Sequence, residues 1–174
     1  MFTKEKIDFN YNLDRNPGNF KCCQGFTKLC MLEKDLNTVV SHSLDFGYKI
    51  ADTFSSVGTR SKAPFDGFGI HNGKLIVWES KWLKEPKSFR FDRLEDHQIE
   101  NLLRFSKVDN CVALFLIGVD FGRGDKRVFY WKDMEYIDNR KKSSQSIYKK
   151  EFVELTNFTR IKKDKIDFNY ILEN

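Results

Sequence analysis

The chain has few cysteines and prolines, and it contains no long apolar run. Its four cysteines include no Cys-x-x-Cys pair and have no histidine at ligand spacing, so the sequence supports neither a zinc site nor a secreted disulfide framework. We therefore expect reduced, buried thiols. No segment approaches the roughly 18 apolar residues of a membrane span. The expectation is a cytoplasmic protein that does not enter a membrane.

The composition of the 174 residues is that of a folded protein, with 40% apolar and 15% aromatic residues. This length suits one sizeable core. The Asn16-Pro17-Gly18 loop signal predicts a flexible N-terminal segment over 1–20 and a single domain over 21–174. The formal charge of +5 suits a polyanionic partner, and it equally suits an ordinary soluble protein.

Hydrophobic spacing divides the first half of the chain into a helix and a hairpin. Apolar residues recur at helical spacing over 27–54, which predicts a long helix with a break before Gly47. Two apolar runs, 64–70 and 74–82, then flank Asn72-Gly73. Asn-Gly between such runs is the strongest short-range hairpin signal.

The second half predicts one more helix and two strands. Asp92 and Glu95 form a possible capping box ahead of a helix that extends to Lys107. The apolar runs 111–118 and 127–131 have strand length. The hexapeptide Lys-Ile-Asp-Phe-Asn-Tyr occurs at 6–11 and again at 165–170, which leaves open two similar edge strands or a chance match.

The hairpin brings two carboxylates and an amine together. If Asn72-Gly73 forms a two-residue turn, facing residues have numbers that sum to 145, and Asp66 lies opposite Glu79. Period-2 alternation puts Lys81 on the same face as Glu79. Two facing carboxylates repel each other, and Mg²⁺ is the obvious compensating partner. The alternative is that both are solvated residues of a hairpin that buries its other face.

These residues resemble a known signature. Pro64-Phe65-Asp66, followed by Glu79-Ser80-Lys81, is similar to the motif of the PD-(D/E)XK nuclease superfamily. Within it the chain most resembles the RecU-type Holliday junction resolvases and their phage relatives. Three further matches, which extend the resemblance over roughly residues 30 to 155, are Leu32-Glu33, Asp96-His97-Gln98-Ile99 and Arg140-Lys141-Lys142-Ser143 with Ser146-Ile147.

The resemblance implies an α/β fold with a restriction-endonuclease-like core, in which helices flank a mixed central β-sheet. It also implies Mg²⁺ as the cofactor, or Mn²⁺ in its place. The protein would be a homodimer that makes paired nicks in four-way DNA junctions during recombination. Asp66, Glu79 and Lys81 become the catalytic set, with Glu33 as a further metal-holding or solvated helix residue. Gln98 is ranked above His97 as a group that positions water or a phosphate. A phage-encoded chain would act in the host cytoplasm.

Basic residues near the predicted site are candidates for DNA binding, with ordinary solvated charge as the alternative for about half of them. They are Arg60, Lys62, Lys84, Lys87, Arg90, Arg123, Lys126, Arg127, Arg140, Lys141 and Lys142.

Three functions remain open at this point. The first is a junction-selective DNA endonuclease. The second is a less selective nuclease of the same superfamily that acts on duplex or single-stranded DNA. The third is a catalytically idle DNA-binding module that has kept the fold.

Overall fold

The computed structural model describes residues 33–51, 53–54, 60–143 and 145–174. The helices are α1 (Glu33–Ser43), α2 (Asp96–Phe105), α3 (Met134–Lys142), α4 (Lys149–Glu154) and α5 (Phe168–Glu173), with a 3-10 turn at Phe91–Arg93. The strands are β1 (Phe46–Lys49), β2 (Thr53–Phe54), β3 (Arg60–Ser61), β4 (Gly67–His71), β5 (Lys74–Leu83), β6 (Phe89–Arg90), β7 (Cys111–Asp120), β8 (Lys126–Trp131), β9 (Ser146–Ile147) and β10 (Phe158–Arg160).

Six strands form the central sheet, in the order β1-β4-β5-β7-β8-β10. The β5–β7 pair is parallel, whereas the other neighbours are antiparallel. The parallel pair is possible because α2 provides the crossover between β5 and β7. The expected α/β class, a mixed central sheet flanked by helices, is confirmed.

Each face of the sheet packs against its own set of helices. On one face, Val77, Phe115 and Phe129 form a core with residues of α2, α3 and α4. On the other, Trp78 and Leu116 pack with residues of α1 and α5. Because both faces are covered, the central strands read as continuous apolar runs rather than as alternating patterns.

The predicted hairpin is confirmed, with its register. β4 and β5 pair from His71 opposite Lys74 to Gly67 opposite Trp78, and every pair of residue numbers sums to 145. Asn72 and Gly73 both have positive φ, at 49° and 72°, as a type I′ turn requires. The predicted strands at 111–118 and 127–131 are β7 and β8.

Two predicted helices have different bounds in the structure. Within the described part of the 27–54 region, α1 ends at Ser43, and residues 46–49 form β1 because they pair with β4. The capping box of α2 is Glu95 with Gln98, and Asp92 belongs to the preceding 3-10 turn. The predicted N-terminal segment 1–20 lies outside the described residues.

The second copy of the repeated hexapeptide is not an edge strand. Residues 165–167 lead into α5, and residues 168–170 form its first turn. The Asp167 side chain caps this turn by accepting a hydrogen bond from the backbone N–H of Tyr170. Ile166 and Phe168 are buried in the core beside α1. The first copy lies outside the described residues.

Candidate active site

The candidate site lies where β4 stops beside β5. The last β4–β5 pair is Gly67 with Trp78, whereas β5 continues its pairing with β7 as far as Leu83. Among the described strands, β5 therefore has one unpaired edge beyond Trp78. The backbone groups of residues 79–83 on this side have no strand partner among the described strands, although the residues themselves are buried.

Asp66 occupies the start of this gap. Its carboxylate Oδ2 accepts a hydrogen bond from the backbone N–H of Ser80 at 2.8 Å, on the side where β4 would otherwise continue. The Ser80 hydroxyl also lies 2.9 Å from the same oxygen. The side chain of Asp66 thus satisfies a backbone donor that the sheet leaves unpaired.

Glu79 is buried at the centre of the site, with a relative exposure of 0%. Its Oε1 accepts hydrogen bonds from the Lys81 ammonium at 2.8 Å and from the Gln98 amide at 2.6 Å. Its Oε2 is also buried, and it has no hydrogen-bond partner among the described residues. A buried carboxylate oxygen without a partner costs free energy, and a bound ligand at this atom would offset that cost.

Electrostatics around Glu79 disfavour its charged form. The pKa of Glu79 is raised from 4.5 to about 8, first by burial and then by the nearby carboxylate of Asp66, against the opposing effect of Lys81. Two carboxylates that share a site behave in this way when no cation compensates them. Strongly shifted carboxyl groups in a cleft are typical of functional sites.

Lys81 joins the site to α1. Its Nζ lies 2.8 Å from Glu79 Oε1 and 3.3 Å from Glu33 Oε1. Burial lowers the pKa of Lys81, but the surrounding carboxylates, with Glu79 first, outweigh it and give a net rise, so the amine stays charged. Glu33 also lies 3.8 Å from the guanidinium of Arg93.

A cleft of about 370 Å³ opens onto these groups, and its polar lining includes Asp66, Lys81 and Gln98. At its mouth Lys62 forms an ion pair with Glu95. His97 lies beside them, with its Nε2 3.2 Å from the carbonyl oxygen of Ala63. Gln98, in addition to holding Glu79, accepts a hydrogen bond from the backbone N–H of Glu95 in the capping box of α2.

The donor set fits a hard cation with two protein carboxylates. Asp66 and Glu79 could supply carboxylate oxygens, the donor type that Mg²⁺ prefers, and Glu79 Oε2 has no hydrogen-bond partner among the described residues. This ion usually takes one or two carboxylates and keeps several waters. Within the residues that the structure describes, no three His, Cys, Asp or Glu side chains form a ready-made metal centre. Glu33 contacts Lys81 and Arg93.

Several predicted DNA-binding cations are exposed. Lys84 and Arg123 are exposed, Lys87 lies 3.9 Å from Glu85, and Arg90 forms an ion pair with Asp92 at 2.6 Å. Lys84, Lys87 and Arg90 line a second cleft at the end of β5 together with Arg93. Arg60 belongs to β3, and Lys62 is at the mouth of the site.

The other predicted cations are largely engaged within the protein. Arg127 makes a two-pronged contact with Asp125 and lies over the rings of Phe121 and Phe158. The Arg140 side chain is only 15% exposed and contacts Glu151. Lys126 is half-buried, Lys141 bonds Asp96 and the Leu94 carbonyl, and Lys142 pairs with Asp138.

Sequence reasoning missed two groups at the site. Ser80 supplies two donors to Asp66, and Arg93 extends the charged cluster beyond Glu33. Ser80 lies between Glu79 and Lys81, and strand alternation points its side chain to the other face of β5. This position was a usable signal for a polar group behind the two site residues. Arg93 had no such signal, since its approach to Glu33 depends on how the 3-10 turn meets α1.

No helix in the described part of the chain has the length and apolar character needed to cross a membrane. No family model matches the chain. The sequence is similar to the Holliday junction resolvase RecU of Bacillus subtilis (strain 168), with 28% identity over 91 residues that cover 51% of this chain and 41% of the resolvase. The match therefore covers less than half of the length of that curated relative.

Proposed function

We propose that this protein is a metal-dependent DNA endonuclease of the PD-(D/E)XK type that nicks branched DNA in the manner of a junction resolvase. The observation that carries the proposal is the buried Oε2 of Glu79, which has no hydrogen-bond partner in the described part of the chain and shares its site with Asp66 and the charged amine of Lys81. The distant similarity to a Holliday junction resolvase supports the same reaction class.

Each residue of the site has a role in this proposal. Asp66 and Glu79 would hold Mg²⁺, or Mn²⁺ in its place. Such an ion, when bound, lowers the pKa of a coordinated water and polarises a phosphate oxygen. Lys81 lies where its ammonium can orient the attacking water or stabilise negative charge on the phosphate. Gln98 fixes the Glu79 carboxylate through its 2.6 Å hydrogen bond.

Glu33 positions Lys81 in this scheme. The Glu33 carboxylate is 3.3 Å from the lysine Nζ, and it keeps the amine charged together with Glu79. We assign it to this contact, with any link to the metal made through water. His97 lies at the mouth of the cleft, where its Nε2 is 3.2 Å from the Ala63 carbonyl, and it has no assigned step.

The surface for the DNA backbone would extend from the site along the cleft at the end of β5. Lys84, Lys87 and Arg90 are exposed there, and Arg93 connects this cleft to Glu33. Phosphate contacts from such side chains favour a polyanion without reading its sequence. By family resemblance we also propose a homodimer that places two sites on one junction, and a cytoplasmic location.

The experiment compares three labelled DNAs, a four-way junction, a matched linear duplex and a matched single strand, with magnesium or with EDTA. The proposal predicts magnesium-dependent paired nicks in the junction, and their loss in Asp66→Asn. Asp138→Asn is the control, because Asp138 lies on α3 and forms an ion pair with the exposed Lys142 there. Equal cutting of junction and duplex would indicate the less selective nuclease. Binding of DNA without cutting under all conditions would indicate the idle module.

A further inference from the structure

A buried polar network connects the candidate site to the opposite face of the sheet. The Asn37 side chain of α1 has only 6% exposure, and its Oδ1 accepts a hydrogen bond from the Trp78 indole N–H at 2.8 Å. The same oxygen lies 2.9 Å from the hydroxyl of Ser80, which is fully buried. Ser80 in turn contacts Asp66. A chain of three polar side chains thus runs from α1 to the first acid.

The orientation of Asp66 depends on this network. Asp66 lies one residue before the first paired residue of β4, and its backbone is held by hydrogen bonds to Trp78 and Ile50, so the network acts on the orientation of its side chain. The two donors of Ser80, its N–H and its hydroxyl, both reach Asp66 Oδ2. The N–H is fixed by the backbone of β5, whereas the hydroxyl position depends on the rotamer of Ser80.

Asn37 restrains that rotamer. The single hydroxyl proton of Ser80 can be donated to one acceptor at a time, either Asp66 or Asn37. The amide oxygen therefore gives the buried hydroxyl a second partner when the Asp66 carboxylate is engaged elsewhere. A buried hydroxyl without any partner costs free energy, so this second acceptor keeps Ser80 in place.

The same helix face also reaches Lys81. Glu33 and Asn37 are four residues apart, and residues at this spacing are neighbours on a helix surface. Glu33 contacts Lys81, and Asn37 contacts Ser80, although these two consecutive β5 residues point to opposite faces. The first turns of α1 therefore contact side chains on both faces of β5 along its unpaired edge.

We propose that Asn37 and Ser80 are positioning residues, through which α1 fixes the carboxylate of Asp66 for cation binding and DNA cleavage. This inference rests on the proposed function and extends it to two residues that touch neither metal nor substrate. Partners of this kind around metal ligands change metal affinity or activity by about 10–100-fold when they are removed.

The test uses the full-length variants Ser80→Ala, Asn37→Ala and their combination. Ser41→Ala is the matched control, because it removes a buried hydroxyl from the same helix whose hydrogen bond is to the Thr38 carbonyl of that helix. Three quantities are measured: kcat and KM for junction cleavage, magnesium affinity by calorimetry, and the position of the Asp66 carboxylate in metal-free crystal structures.

We expect Ser80→Ala to lower kcat and magnesium affinity by about 10–100-fold with KM for DNA unchanged, and Asn37→Ala to have a smaller effect in the same direction. The combined variant should lose less kcat than the product of the single losses, because both act through Asp66. In the crystal structures the Asp66 carboxylate should move away from its wild-type position. Ser80→Ala leaves the Asn37–Trp78 bond intact, so it remains usable if Asn37→Ala does not fold.

The inference would be overturned if Ser80→Ala had the same kcat, the same magnesium affinity and the same Asp66 position as the Ser41→Ala control. A wild-type protein that cleaves no DNA would instead remove the proposed function. In that case the Asp66 position alone decides: an unchanged carboxylate in Ser80→Ala refutes the positioning role, and a displaced one supports it.

Discussion

The pKa of Glu79 predicts that the metal-free protein loses stability as the pH rises. In the folded chain this pKa is about 8, against 4.5 for an ordinary glutamate. Between these values the unfolded chain has released the proton and the folded chain still holds it. Deprotonation therefore favours unfolding, so the stabilisation is fully present below pH 4.5 and is lost as the pH rises to about 8.

The magnitude follows from the two pKa values. Between pH 5 and pH 8 the linkage relation gives a loss of roughly 3 kcal/mol in the free energy of unfolding from this one group. That is a large part of the stability of a typical domain, which is about 5–15 kcal/mol. The Glu79→Gln variant lacks the ionisable group, so it should lack this component of the pH dependence.

The assay is urea denaturation of wild type and Glu79→Gln in EDTA at pH 5 and at pH 8. The stability of wild type relative to the variant should fall by about 3 kcal/mol between the two pH values. Magnesium at pH 8 should then restore stability to wild type far more than to the variant, because binding to the folded state stabilises it. Identical pH dependence of the two proteins, or equal stabilisation of both by magnesium, would refute the reasoning.

Three further predictions concern basic side chains. Lys81→Ala should lose most of its turnover with little change in magnesium affinity, because the ammonium contacts Glu79 and Glu33 but is no metal ligand. Single-turnover cleavage measures the turnover, and calorimetry measures the magnesium affinity. Loss of folding in this variant would indicate a structural role. The double variant with Lys84→Ala and Lys87→Ala should weaken DNA binding. The slope of the logarithm of the binding constant against the logarithm of the salt concentration should become shallower by up to about 0.9 per phosphate contact removed. Arg127→Ala should lower the melting temperature with an unchanged salt dependence, because its guanidinium is engaged by Asp125; the reverse pattern would contradict these assignments.

The sequence predicted the hairpin that builds the site because its signals were local. The Asn72-Gly73 turn fixes the register as far as Gly67 opposite Trp78, and Asp66, the next residue, contacts β5 at Ser80 and not in a direct pair with Glu79. Alternation of the strand then puts Lys81 beside Glu79, where the structure has a 2.8 Å contact. The apolar character of β5 also indicated a central strand, which explains the complete burial of Glu79.

Tertiary pairing explains most of what the sequence did not predict. Helical spacing continues past Ser43, but residues 46–49 pair with β4, and this pairing overrides the helical pattern. The contact between Glu33 and Lys81 depends on where α1 crosses the unpaired edge of β5. Likewise, only the packed structure distinguishes the engaged guanidinium of Arg127 from the exposed cation of Lys84.

The most direct test of the central claim is cleavage of a labelled four-way junction by wild type and Asp66→Asn, with junction binding measured on the same samples. We expect magnesium-dependent nicking by wild type, none by the variant, and similar DNA binding by both, because the Asp66 carboxylate would bind the cation more than the DNA. Nicking by Asp66→Asn at the wild-type rate, or undiminished nicking by wild type in EDTA, would contradict this expectation.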